Sequence, residues 1–192
     1  MPQRKEYDDG MKNIALHILD LVQNSARAEA RLIRISVTED PAKDNYLLSI
    51  KDDGKGMEEE VVQKATDPFY TSRTTRRVGL GLPLIQLNAE RTGGSFKLSS
   101  EPGKGTKLEA NFIFHHPDRL PLGEMEDVLV LLAVGLPLVR LIYTHTTPSG
   151  SYCFDTEVIR EIIGDIPDSN LEVRKFLREM IAENLKEIKA EP

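Results

Sequence analysis

Two short runs of strict alternation constrain this chain more than any other feature. Ile33, Ile35 and Val37 alternate with Arg34, Ser36 and Thr38, and Tyr46, Leu48 and Ile50 alternate with Leu47, Ser49 and Lys51. A period of two sends successive side chains to opposite faces, so each run reads as a strand with one buried side. The turn-rich Pro41-Ala42-Lys43-Asp44-Asn45 lies between them. Ahead of the first run, Met11, Ile14, Ala15, Ile18, Val22 and Ala26 recur at helical spacing over Met11 to Ala28.

The same patterns continue downstream. Glu58 to Ala65 reads as a short helix, Asp67 to Gly81 as a loop rich in Thr and Arg, and Leu82 to Arg91 as a helix stopped by Gly93-Gly94. Strands follow at Ser95 to Ser99 and Thr106 to Phe114. This order predicts an α+β sandwich, a mixed sheet covered on one face by helices. A boundary is expected near His116, dividing residues 1–115 from a small α+β extension over 116–192. That extension reads as a helix near Glu124 to Val134, a strand from Leu138 to Tyr143, a second short strand, and a helix from Thr156. Asp168 or Ser169 caps a last helix.

Composition narrows the function classes. The basic residues are scattered and the net charge is −6, which disfavours nucleic acid as the main partner. The most apolar stretch, Val128 to Val139, falls short of the ~18 residues of a membrane span and is broken by Pro137, so it reads as core. One cysteine, Cys153, and a polar N-terminus without a signal-peptide core point to the cytoplasm. His115, His116 and His145 show no metal-ligand spacing with that cysteine and read as surface residues.

Four clusters carry chemistry. Asp20 and Asn24 lie one helical turn apart, where a carboxylate and an amide oxygen can hold magnesium and its waters. Asp52-Asp53-Gly54-Lys55-Gly56-Met57 follows a strand directly. A carboxylate there can accept from an adenine amino group, while the glycines allow close backbone approach. Pro68-Phe69-Tyr70-Thr71-Ser72-Arg73, with Arg76 and Arg77 beyond, supplies hydroxyls and guanidinium groups suited to a lid over phosphates. Gly79-Leu80-Gly81-Leu82-Pro83 opens a helix whose free N–H groups can cradle phosphate. Singly, these clusters are also what a solvated helix, a plain turn, a basic loop and a helix cap look like. Their order and spacing carry the weight.

In that order they resemble the superfamily of gyrase, the heat-shock chaperone ATPase, histidine kinases and mismatch-repair ATPases, whose domain has the Bergerat fold. The resemblance covers about Met11 to Phe114. It implies ATP and magnesium as ligands, Asn24 as the metal ligand, and Asp52 as the reader of adenine. Gly54, Gly56 and Met57 fall in the first glycine box. Phe69, Thr71, Ser72 and Arg73 form a short kinase-type lid, and Gly79, Leu80, Gly81 and Leu82 the second glycine box. Gly105-Thr106 matches a late Gly-Thr pair whose hydroxyl supports the adenine-reading Asp through water.

Two departures shape the expected activity. Hydrolysing relatives carry Glu where Asp20 stands, so the candidate catalytic carboxylate is one methylene short. Few residues precede the first helix, so no phospho-acceptor hairpin is expected ahead of it, and His17 on the helix itself reads as structural. The resemblance therefore implies a kinase acting in trans on a partner protein bound through residues 116–192. The alternative is an ATP-dependent switch with slow or no turnover. The run Arg73 to Gly81 and the segment Asp118 to Gly123 also resemble small stand-alone ATPases of anaerobic bacteria encoded near iron-hydrogenase subunits, which implies a redox-enzyme partner.

Overall fold

The computed structural model describes residues 11–67, 81–164 and 170–192. Six strands form one mixed sheet. The alternating runs become β1 (Leu32–Asp40) and β2 (Asn45–Asp52), joined by a 3-10 turn at Pro41–Lys43 and paired antiparallel with Ile35 opposite Ile50. On the outer flank of β2 lie β4 (Gly105–Ile113) and the edge strand β3 (Ser95–Glu101). Ile33, Ile35, Val37, Tyr46, Leu48 and Ile50 all point to one side and are buried, as the period of two predicts.

That side is covered by helices. The first, α1 (Ile14–Arg27), is capped by Asn13, whose side chain accepts from the Leu16 N–H at 2.9 Å. It buries Ile14, Ile18, Leu21 and Val22 against the sheet. A short helix, α2 (Glu59–Lys64), precedes α3 (Gly81–Arg91), which packs on β3 and β4. His17 is fully buried, with Nε2 3.2 Å from the Asn88 amide nitrogen, and so ties α1 to α3.

The stretch after His116, expected as an appended extension, supplies two strands to the same sheet and shares its core. The helix α4 (Met125–Gly135) buries Met125, Leu129 and Leu132, in line with a core role for the apolar stretch. Next, β5 (Arg140–Thr147) pairs in parallel with β1, and β6 (Gly150–Asp155) closes the sheet as the outer edge. The strand expected at Leu138 to Tyr143 begins later and runs further, because Leu138 is 92% exposed while Leu141, Tyr143 and His145 alternate inward. Two helices complete the chain, α5 (Thr156–Ile163) and α6 (Leu171–Glu187). Asp168 and Ser169 lie outside the described residues, and Asn170 caps α6 by accepting from the Glu172 and Val173 N–H groups.

The surface reading of His145 is corrected. Its ring is fully buried, with Nδ1 2.7 Å from the Tyr143 hydroxyl and Nε2 2.7 Å from the Glu39 carboxylate. Burial pushes the Tyr143 phenol well above its usual range, which keeps it a donor. Glu39 also accepts from the Glu191 N–H at 3.0 Å, so the triad clamps the chain's end onto β1. Arg119 adds a second clamp: its guanidinium lies 4.9 Å from the Tyr46 and Phe114 ring centres and donates to Glu191 at 2.6 Å. Metal-ligand spacing alone carried no information about a histidine that burial and hydrogen bonding retain.

Candidate nucleotide site

Asp52 is the last residue of β2, where the alternation turns its side chain inward, and it is 6% exposed. Its Oδ1 accepts from the N–H groups of Gly54 at 2.9 Å and Thr106 at 3.1 Å, while Oδ2 accepts from Ser25 Oγ at 2.6 Å. A carboxylate offers roughly four acceptor positions, so three internal donors leave one for a ligand. Asp52 lines a cavity of about 510 Å³ bounded by α1, the segment after β2, α2, the start of α3 and β4. Leu21, Ile50, Val61, Leu98 and Leu108 give this cavity apolar walls. A flat heteroaromatic ring with an exocyclic amine matches that combination of slot and acceptor.

The glycines serve packing more than ligand approach. A Cβ on Gly54 would stand 2.7 Å from the Ala28 carbonyl oxygen. Gly56, at φ +66°, would drive one to 1.9 Å from the Glu101 carbonyl oxygen. Gly54 and Gly56 therefore let the segment after β2 press against the end of α1 and the β3–β4 turn, which shapes the cavity wall. Gly56 and Met57 line the cavity, and the Met57 N–H donates to Ser100 Oγ at 2.9 Å. Thr106 supports Asp52 directly through its backbone N–H, while its hydroxyl lies 3.0 Å from Ser100 Oγ.

On the same cavity, Asn24 stands between an acid and a base. Its Nδ2 donates to Asp20 Oδ2 at 3.1 Å, and its Oδ1 accepts from Arg27 Nη1 at 2.8 Å. An amide oxygen carries two lone pairs and is a hard donor of the kind magnesium takes. Asn24, Arg27, Gly81 and Leu82 all line the cavity. Asp20 is absent from that lining: its carboxylate packs against Gly81, where a Cβ would come within 2.1 Å of Oδ2. The fold thus brings Asp20, Asn24, Asp52, Gly54, Gly56, Met57, Gly81, Leu82 and Thr106 to one region. Phe69, Thr71, Ser72, Arg73, Gly79 and Leu80 lie outside the described residues.

Sequence reasoning missed two residues of this region, Ser25 and Arg27. Ser25 sits one turn after Leu21 on the side of α1 that faces the sheet. A serine on a buried helix face must find a partner there, and this was the available signal. Arg27, three residues after Asn24, is placed by helical spacing to reach it.

The model of the histidine kinase-, DNA gyrase B- and HSP90-like ATPase family matches residues 12–119, more than half of the chain. A putative sensor protein of Shewanella frigidimarina is 31% identical over 103 residues, covering 53% of this chain and 16% of its own. Sensor protein SrrB of Staphylococcus aureus is 34% identical over 94 residues, covering 46% and 16%. Sporulation kinase C of Bacillus subtilis is 27% identical over 91 residues, covering 47% and 21%. The chain thus spans about a fifth or less of the length of these curated relatives. Among solved structures, the N-terminal domain of a DNA repair protein superposes with a TM-score of 0.51 at 18% identity, over 74% of this chain and 51% of that one. This likeness bears on the fold alone. With the family match spanning α1 to β4 and the buried carboxylate at the end of β2, the chain belongs to the histidine kinase-, DNA gyrase B- and HSP90-like ATPase family.

Proposed function

We propose that the cavity binds ATP with magnesium and that the chain passes the γ-phosphoryl group to Ser, Thr or His on a partner protein. Asp52 carries the nucleotide part of this reading, because its three internal donors fix a carboxylate with one acceptor position facing an apolar slot. Asn24 offers an amide oxygen to the cation, and Arg27 beside it stands ready to pair with phosphate. When bound, magnesium neutralises phosphate charge. Asn24 is the side chain that would hold the ion, whose hard-oxygen preference its amide oxygen meets. In this reading the lid Phe69 to Arg73 and the backbone from Gly79 to Leu82 hold the phosphates.

The kinase assignment draws support from the similarity to sporulation kinase C of Bacillus subtilis. Phosphoryl transfer asks mainly for positioning and charge, which such a site supplies without a covalent group from the enzyme. The partner docks on residues 116–192, where Ile162 and Leu171 are 73% and 74% exposed and Phe176 is 57% exposed. One observation favours a second reading, an ATP-dependent switch with little turnover: Asp20 is held by Asn24 against Gly81, away from the cavity lining. Incubation with γ-labelled ATP, alone and with candidate partners, separates the two. Label on a partner supports the kinase. Tight binding with neither transfer nor phosphate release supports the switch.

A further inference from the structure

The face of the sheet turned away from the core carries a line of like charges. Arg34 on β1 lies directly opposite Lys51 on β2, and Lys51 directly opposite Lys107 on β4. One row along, Lys97 on β3 stands opposite Glu109. All four cations are exposed. Lys107 reaches Glu109 at 2.9 Å, and among the described residues no ion pair is formed by Arg34, Lys51 or Lys97. Like charges directly opposite on neighbouring strands weaken a sheet, so the row works against stability. It also gathers positive charge on one face of a chain whose net charge is −6, with Glu58, Glu59 and Glu101 lining the groove beside Lys51 and Lys107.

We propose that this face docks an acidic segment of a partner protein. Strand spacing puts successive cations about 5 Å apart, so the three span about 10 Å, the reach of a few carboxylates along one segment. Ser99 continues the row beyond Lys107, and Ser36 and Ser49 occupy the next row beside Glu109. Hydroxyls and an interspersed carboxylate suit a polypeptide of mixed polarity. They suit a uniform polyanion poorly, and the negative net charge further disfavours the nucleic-acid backbone and anionic membranes. The surface is separate from the apolar C-terminal helices, and it stands whether or not the cavity binds nucleotide.

The test is fluorescence anisotropy with a labelled peptide of alternating Glu and Ser, at low and at physiological salt. Labelled duplex DNA and phosphatidylserine vesicles serve as competing probes. Wild type is expected to bind the peptide saturably, weakening with salt, and more tightly than either competitor. Arg34→Glu and Lys51→Glu each weaken the peptide by about tenfold. Their melting temperatures stay equal or rise, because each reversal turns a repulsive cross-strand pair into an attractive one. The neutral pair Arg34→Gln and Lys51→Gln repeats the measurement should a reversal disturb folding. Thermal shift by magnesium-ATP, run on the same proteins, keeps the nucleotide reading separate. No saturable peptide binding, unchanged binding in folded variants, or tighter binding of DNA or vesicles would each overturn the proposal.

Discussion

Ser25 Oγ donates to Asp52 Oδ2 across 2.6 Å, joining the buried side of α1 to the last residue of β2. Oδ1 takes two backbone N–H groups, so both Asp52 oxygens accept. An amide at this position could keep its oxygen on the two N–H groups and donate to Ser25, whose hydroxyl can turn to accept, but its NH₂ would then face the amino group of adenine, donor against donor. Asp52→Asn is therefore expected to weaken ATP by about 1.5–3 kcal/mol and to narrow the preference for ATP over GTP. Ser25→Ala leaves the carboxylate its backbone donors and should cost about 1 kcal/mol. Calorimetric titration of both variants with both nucleotides checks the order.

Gly81 is the position where α3 meets Asp20. A Cβ there would fall 2.1 Å from Asp20 Oδ2, so Gly81→Ala should lower the melting temperature and weaken ATP. Removing the carboxylate relieves the contact. Asp20→Ala in the same chain should restore part of the loss, with a coupling of about 0.5–3 kcal/mol in a double-mutant cycle. Strictly additive losses would show that the two residues do not meet.

Asp20→Glu extends the carboxylate by one methylene. It is expected to raise phosphate release, since displacement of a catalytic group on the order of 1 Å is worth about a hundredfold in rate. A phosphate-release assay under saturating ATP measures the gain, and no gain removes the role of reach.

Much of the fold around this site was legible because it rests on local rules. The alternation of Ile33 to Val37 and of Tyr46 to Ile50 fixed strand faces, and the inward turn of Asp52 follows from the same period. Asp20 and Asn24 meet because helical spacing makes them meet. What escaped depends on contacts between distant segments. The parallel pairing of β5 with β1 joins residues more than a hundred positions apart and has no local signature. His145 became a core residue through Glu39, and Ser25 a site residue through Asp52, each by a partner in another element. The glycines of the first glycine box were legible as necessary, but the atoms they make room for are backbone of α1 and of the β3–β4 turn.

The buried triad Glu39, His145 and Tyr143 predicts a stability effect away from the nucleotide site. With its proton on Nε2, the ring donates to Glu39 while Nδ1 accepts from Tyr143. His145→Ala leaves the buried Glu39 carboxylate without that donor. The expected loss is about 1.5–3 kcal/mol, the size of a hydrogen bond to a buried charge, read by urea denaturation. Glu39 also holds the Glu191 N–H, so the same substitution should increase proteolysis of the C-terminal tail.

Magnesium-ATP titrated into the folded protein by calorimetry, beside Asn24→Ala, tests the central claim most directly. The site described here predicts saturable binding by the wild type that weakens when magnesium is chelated. Asn24→Ala should show lower affinity and a smaller response to magnesium, since the amide oxygen offered to the cation is gone. Absence of any heat of binding from the folded wild type with magnesium and ATP present would contradict it.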